Sequence, residues 1–159
     1  RSFEENAYKK AFFVAEALGF PALADDSGLL VKALGGAPGI HSARYAGFGA
    51  SAEQRYMKLL RELEGRSDRE AAFECVICVA APGGDSLIYR GRCEGVITSG
   101  PIGSNGFGYD PVFYYPPLKK TFGELSAEEK DKVSHRARAL ARLRDDFDNL
   151  VAWLSRNSR

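Results

Sequence analysis

Residues 21–29, PALADDSGL, decide how this chain is read. Pro21 to Ala24 reads as a short strand arriving, and Leu29, Leu30 and Val31 as one departing. Asp25, Asp26, Ser27 and Gly28 then fall at the turn between them. Adjacent carboxylates repel unless something binds them, so the pair is either a cation site or a surface turn solvated by water.

The flanks supply the rest of the fold. Upstream, Ser2 and Glu5 have capping-box spacing, and Ala7, Ala11, Val14, Ala15 and Leu18 recur at helical intervals until Gly19. The expectation is an amphipathic helix over 3–18. Asn6, Lys10 and Phe13 lie beside its apolar stripe, so the Lys10 stem is packed and its ammonium either points to a particular partner or snorkels to solvent. Downstream, Gly35-Gly36-Ala37-Pro38-Gly39 breaks the chain, and HSARYAG reads as a short helical turn or an ordered loop. Ser51 caps a helix running to Leu63. Strands over 71–81 and 87–98 form a hairpin about Pro82-Gly83-Gly84-Asp85. A glycine-rich loop leads to Tyr109, followed by a short strand over 112–115. Ser126 and Glu129 form a second capping box. Ser134 caps one last helix, whose apolar face is Ala137, Leu140, Leu143, Phe147, Leu150, Val151 and Leu154. Helices alternating with strands and one hairpin favour α/β: a mixed sheet covered by helices, in a single domain over 1–159.

Bulk properties remove several function classes. Twenty-two Lys+Arg against 21 Asp+Glu leave a net charge of +1, which offers no footprint for nucleic acid or a membrane surface. No apolar run reaches the roughly 18 residues of a membrane span. The three cysteines make no disulfide framework, and a reducing cytoplasm is the simplest home. Cys75 and Cys78 form a C-x-x-C without a second pair, and their odd offset on a strand sends them to opposite faces; core packing is expected. Neither a P-loop nor a dinucleotide fingerprint is present.

Four groups of residues carry chemistry. Asp25, Asp26 and Ser27 suit a Mg²⁺ held by one or two carboxylates plus substrate phosphates, with a carboxylate taking a proton from water. Phe107, Gly108, Tyr109 and Asp110 offer a ring for a planar base and an acceptor for its N–H groups, or else a core aromatic cluster. Lys130, His135 and Arg136 place donors at or near a helix start, or else solvated charges. Lys10 offers a cation to phosphate. One object would use all four: a nucleotide, with its phosphate–metal end, flat ring and polar ring edge.

The order of motifs is also informative. FEENAYKKA (3–11), PALADDSGL (21–29), LGGAPGIHSARYAG (34–47), NGFGYDPVF (105–113) and FGELSAEEKDKVSHRARAL (122–140) resemble the inosine triphosphate pyrophosphatase family, from Ser2 to about Leu143. The resemblance implies a three-layer α/β/α fold with a long mixed sheet and two lobes around a cleft. It also implies Mg²⁺-dependent conversion of ITP, dITP or XTP to the monophosphate and pyrophosphate, and a homodimer. Carried over, Asp26 is the general base or metal-linked carboxylate and Asp25 its supporting partner. Ser27 touches substrate and Lys10 faces the phosphates. Phe107 stacks on the base, with Gly108, Tyr109 and Asp110 around it. Lys130, His135 and Arg136 read the base edge. A pyrophosphatase for other modified nucleotides and a nucleotide-binding module without catalysis are the alternatives. That family opens with a strand and a T/S-x-N-x-x-K loop that cradles the triphosphate, and places a further metal-binding acid before the first helix. Nothing in this sequence precedes Arg1 to supply them, and a chain truly lacking them is expected to have little activity.

Overall fold

The computed structural model describes residues 1–158. In chain order the elements are α1 (Phe3–Leu18), β1 (Ala22–Val31), α2 (Ala52–Glu62), β2 (Glu70–Ala80), β3 (Ser86–Ile97), β4 (Phe113–Tyr115), β5 (Lys120–Thr121), α3 (Ala127–Val133), α4 (His135–Asp145) and α5 (Phe147–Asn157). One sheet carries the strands in the order β1-β2-β3-β4-β5. The α/β class expected from the sequence holds. β2 and β3 are neighbours joined through a turn that Ala81 N–H closes on the Asp85 carbonyl at 2.8 Å, which makes them antiparallel. Val96 pairs with Tyr114 and Ile97 with Phe113 across β3–β4, and Tyr114 pairs with Thr121 across β4–β5, both antiparallel. Every pairing from β2 to β5 therefore runs antiparallel.

Three local expectations are corrected. First, residues 22–31 are one unbroken strand, with Asp25 and Asp26 inside it and not at a turn. Extended backbone tolerates two adjacent acids because the side chains leave on opposite faces and each meets its own donors, described below. Second, the helix after Ser134 is two helices. Asp146 breaks it with φ −96° and ψ 13°, and its carboxylate accepts the Tyr89 hydroxyl at 2.7 Å and the Asn149 amide at 3.2 Å. Burial and that carboxylate push the Tyr89 phenol up to about 12. Third, the capping box of α1 is only half made. Glu5 N–H donates to Ser2 Oγ at 3.1 Å, but the Glu5 carboxylate turns to Lys9 at 2.5 Å. The buried stripe of α1 is Phe3, Ala7, Ala11 and Ala15, while Val14 and Leu18 stay exposed.

The chain packs as two compact units. The first comprises Arg1–Ser27, Glu74–Arg92 and His135–Arg159. Its core joins Cys75, Ile77 and Val79 of β2 to Tyr89, Ala139, Leu150 and Trp153. Cys78, three residues from Cys75, is buried outside this cluster, as the odd offset requires. The second comprises Gly28–Phe73 and Cys93–Ser134. Its core holds an aromatic knot in which Phe113 lies 4.4 Å from Phe73 and 4.9 Å from Phe122 between ring centroids.

Within the first unit α4 crosses β3 at Gly91. A Cβ there would collide with the His135 carbonyl oxygen and the Ala139 amide nitrogen. Both are helix backbone and cannot swing aside. Gly91→Ala is expected to cost about 3 kcal/mol, as for an overpacked core position. Gly83→Ala, which meets nothing, is the control. Urea unfolding midpoints check this; equal midpoints for the two variants would mean that α4 slides off β3 at little cost.

Candidate functional site

The first group is built on β1. Asp25 Oδ2 accepts from Arg136 Nη2 of α4 at 2.8 Å, from Ser27 Oγ at 3.4 Å and from the Cys75 thiol at 3.9 Å. Asp26 accepts from Lys10 Nζ at 3.0 Å through Oδ1 and from Asn6 Nδ2 at 3.1 Å through Oδ2. The two carboxylates share no side-chain partner. Lys10 Nζ donates in addition to the Asp25 backbone carbonyl. Asn6 and Lys10 stand four residues apart on α1, hence on one face, next to the buried Ala7 and Ala11. The alanines bring the helix close enough for a short asparagine to reach the strand. Burial pushes the Asp25 carboxyl up, but the hydrogen bond and charge of Arg136, with Lys10, outweigh it and leave the carboxyl below its ordinary value. Burial pushes the Cys75 thiol up, so it stays a donor to Asp25. Among the described residues no group of three or more His, Cys, Asp or Glu could hold a metal ion. Asp26, with its side chain 20% exposed beside a half-exposed Lys10, offers one carboxylate. That fits a Mg²⁺ carried mainly by substrate phosphates and water.

The second group is built on the loop before β4. Gly106 and Gly108 take φ of +72° and +61°, so glycine flanks Phe107 on both sides in a conformation other residues avoid. A Cβ at Gly106 would also strike the Asp110 carboxylate. Asp110 Oδ2 accepts the Phe107 N–H at 2.9 Å and Lys130 Nζ at 2.5 Å. Lys130 Nζ also sits 4.2 Å from the centroid of the Phe107 ring, which is itself 64% exposed. Asp110 is buried and Lys130 partly so, with side chains 3% and 14% exposed. Burial pushes the Asp110 carboxyl up, and Lys130 and the Phe107 N–H pull it back only in part, so it stays above its ordinary value.

The sequence-predicted residues thus fall into two sets. Asp25, Asp26, Ser27, Lys10, His135 and Arg136 belong to the first unit. Phe107, Gly108, Tyr109, Asp110 and Lys130 belong to the second. Tyr109 is a core residue: its ring is buried, and its hydroxyl donates to the Ser42 carbonyl at 2.7 Å. His135, buried, is the first residue of α4. Asn6, Cys75 and Ser42 were not singled out from the sequence as site residues. The Asn6–Lys10 spacing was a usable signal for the first; nothing local marks the other two.

The Asp110–Lys130 pair makes a pH-dependent prediction. The Asp110 pKa lies above its ordinary value, so what this group contributes to stability is present at low pH and lost as pH rises through the folded pKa. Removing Lys130 removes a lowering influence and raises that pKa further. Lys130→Met is therefore expected to be less stable than the parent by about 3–5 kcal/mol near pH 7, where it strands a buried charge. The gap should narrow as pH falls and Asp110 protonates. Urea unfolding over a range of acidic to neutral pH checks this. A constant gap would mean that Lys130 stabilises by packing alone.

Comparison with known proteins follows the same residues. A model of the Ham1 family matches residues 1–146. A dITP/XTP pyrophosphatase of Syntrophobacter fumaroxidans is 60% identical over 153 residues, covering 96% of this chain and 66% of that relative. One of Desulfotalea psychrophila is 54% identical, covering 97% of this chain and 69% of its own length. The chain thus spans about two thirds of these relatives. The Staphylococcus aureus Ham1 protein superposes with a TM-score of 0.91 at 46% identity, covering 94% of this chain and 78% of that one. A HAM1 protein from Coxiella burnetii superposes at 0.90, also at 46% identity, covering 93% and 77%. A family match across nearly the whole chain, with the same fold at this identity, leaves one conclusion: the chain belongs to the Ham1 family.

Proposed function

We propose that this chain carries the activity of a nucleoside triphosphate pyrophosphatase for deaminated purine nucleotides. ITP, dITP or XTP and water give the monophosphate and pyrophosphate. The observation that carries the reading is the 60% identity, across 96% of the chain, to a relative named dITP/XTP pyrophosphatase. The two residue sets support it, because their chemistries answer to a phosphate end and a base. Homodimer formation and a cytoplasmic location go with the same reading. The three cysteines, free and buried, ask for no oxidising compartment.

In the proposed step a water oxygen bonds to the α-phosphorus and the α–β bridging P–O bond breaks. The electron pair leaves with pyrophosphate. Asp26 is assigned to the proton of that water or to the metal, and Lys10 to the phosphate oxygens. Asp25, tied to Arg136, Ser27 and Cys75, supports the strand that presents Asp26. Mg²⁺, when bound, would neutralise charge on the departing pyrophosphate. Phe107 supplies a stacking face, which adds affinity but little choice, since every base has a π-face. Lys130, His135 and Arg136 are the donors assigned to the base edge. Inosine and xanthine carry a 6-keto acceptor where adenine carries a 6-amino donor. A buried donor left unpaired by the wrong base can discriminate by roughly 10⁴ or more.

The test is product analysis with Mg²⁺ and ITP, with ATP alongside. The monophosphate and pyrophosphate from ITP alone are expected; phosphate release, or equal turnover of ATP, would overturn the reading. Asp26→Asn is expected to lower kcat by at least about 10³ with an unchanged circular dichroism spectrum, since it removes only charge and a proton acceptor. Retained turnover would place the base elsewhere. Arg136→Ala should narrow the ITP-over-ATP ratio and also lower kcat about tenfold, because the same guanidinium holds Asp25. A fall in rate with an unchanged ratio would assign Arg136 to Asp25 alone.

A further inference from the structure

The exposed Phe107 ring sits on a backbone with glycine on either side. Both glycines have positive φ; the Phe107 N–H donates to the Asp110 carboxylate, its carbonyl accepts the Asp110 N–H at 3.2 Å, and the Lys130 ammonium lies over its ring. What holds the loop from the other side is Tyr109, one residue past Gly108. Its ring is 4% exposed within the core cluster, and its hydroxyl donates to the Ser42 carbonyl at 2.7 Å. Ser42 is itself fully committed. Its Oγ accepts the Leu29 N–H of β1 at 2.9 Å and donates to the Gly39 carbonyl at 2.6 Å, which closes the helical turn Gly39–Arg44. The hydroxyl both donates and accepts, and the backbone carbonyl accepts, in a residue only 7% exposed. The chain of bonds runs from Leu29 of β1 through Ser42 to Tyr109, and so to the residue pair that aims Phe107.

We propose that Ser42 is a positioning residue for base binding. Its hydroxyl fixes the turn Gly39–Arg44 on β1, its carbonyl fixes Tyr109, and Tyr109 sets where the Phe107 ring is presented. This rests on the nucleotide reading above for its ligand, though the anchor itself does not. Ser42 touches no base in this account. It limits the arc through which a glycine-flanked ring can swing, so it lowers the ordering cost that binding would otherwise bear.

Tyr109→Phe tests this with the least disturbance, because it removes one oxygen and keeps the ring in the core. Ser42→Ala, which strands the Leu29 N–H, is the second variant. The first readout is amide hydrogen exchange. Phe107 and Gly108 should exchange about tenfold faster in Tyr109→Phe, with β2 unchanged. The second is affinity for ITP against inorganic triphosphate, which has no base. ITP should bind about tenfold more weakly, with KM rising and kcat retained, while triphosphate binds as before. Unchanged exchange at 107–108 overturns the anchor. Faster exchange with unchanged ITP affinity, or equal loss for ITP and triphosphate, overturns the positioning role. A parent protein that binds no ITP while Tyr109→Phe still loosens the loop would retire the nucleotide reading and leave the anchor standing.

Discussion

The pleat of β1 sends neighbouring side chains to opposite faces, and the first group of polar residues is organised by that rule. Asp25 and Asp26 are one residue apart and yet live in different surroundings. Asp26 meets Asn6 and Lys10 of α1; Asp25 meets Arg136 of α4, Ser27 and Cys75. Each negative charge is compensated by a cation from a different helix. Had the pair stood at a turn, both carboxylates would have shared one solvent-facing environment and one cation could have bridged them. On a strand each is held separately, so one can be spent on structure while the other is offered to chemistry. The alanine stripe of α1 follows from the same demand, since bulkier residues at 7 and 11 would lift Asn6 out of reach of Asp26.

What the sequence disclosed was what local chemistry determines. The limits of α1 follow from Ser2 and Gly19, and the hairpin from Pro82-Gly83-Gly84-Asp85. The helix after Ser51 follows from its cap and the one after Ser126 from its capping box. What it withheld was settled by distant partners. β1 looked broken because two acids interrupt its apolar pattern, and the groups that make them tolerable lie 16 and 111 residues away. The break at Asp146 was invisible because apolar spacing continues through it. Tyr89, 57 residues earlier, supplies the hydrogen bond that holds the carboxylate there. Lys10, Phe107, Asp110 and Lys130 were legible as residue types suited to a nucleotide. The ammonium of Lys130 over the Phe107 ring, and the tie of Tyr109 to Ser42, needed the three-dimensional chain.

The loop carrying Phe107 shows how a glycine-flanked ring can be held in one place. Glycine at 106 is required twice, by its positive φ and by the carboxylate where a Cβ would go. Asp110 binds back to the Phe107 N–H, and Lys130 neutralises Asp110 while lying against the ring. A buried ion pair is weak evidence for stability, because desolvation takes back much of the Coulomb gain. Its value here lies in geometry. One carboxylate oxygen joins a backbone amide on the loop to an ammonium from α3, so two elements far apart in sequence are brought to one point.

That commitment also bears on how a base would be chosen. An ammonium has three protons to donate. In Lys130 one goes to Asp110 and another faces the Phe107 ring. On the proposed reading, the third is the donor left for a nucleotide stacked on that ring. A 6-keto oxygen accepts it; a 6-amino group, itself a donor, cannot. The carboxylate of Asp110, being occupied by Lys130 and the Phe107 N–H, fixes the direction of that third proton. Choice between inosine and adenine would then depend on a buried carboxylate and the partly buried ammonium it holds. An ammonium has no acceptor to offer in any orientation, so a 6-amino group in that place would be left without a partner.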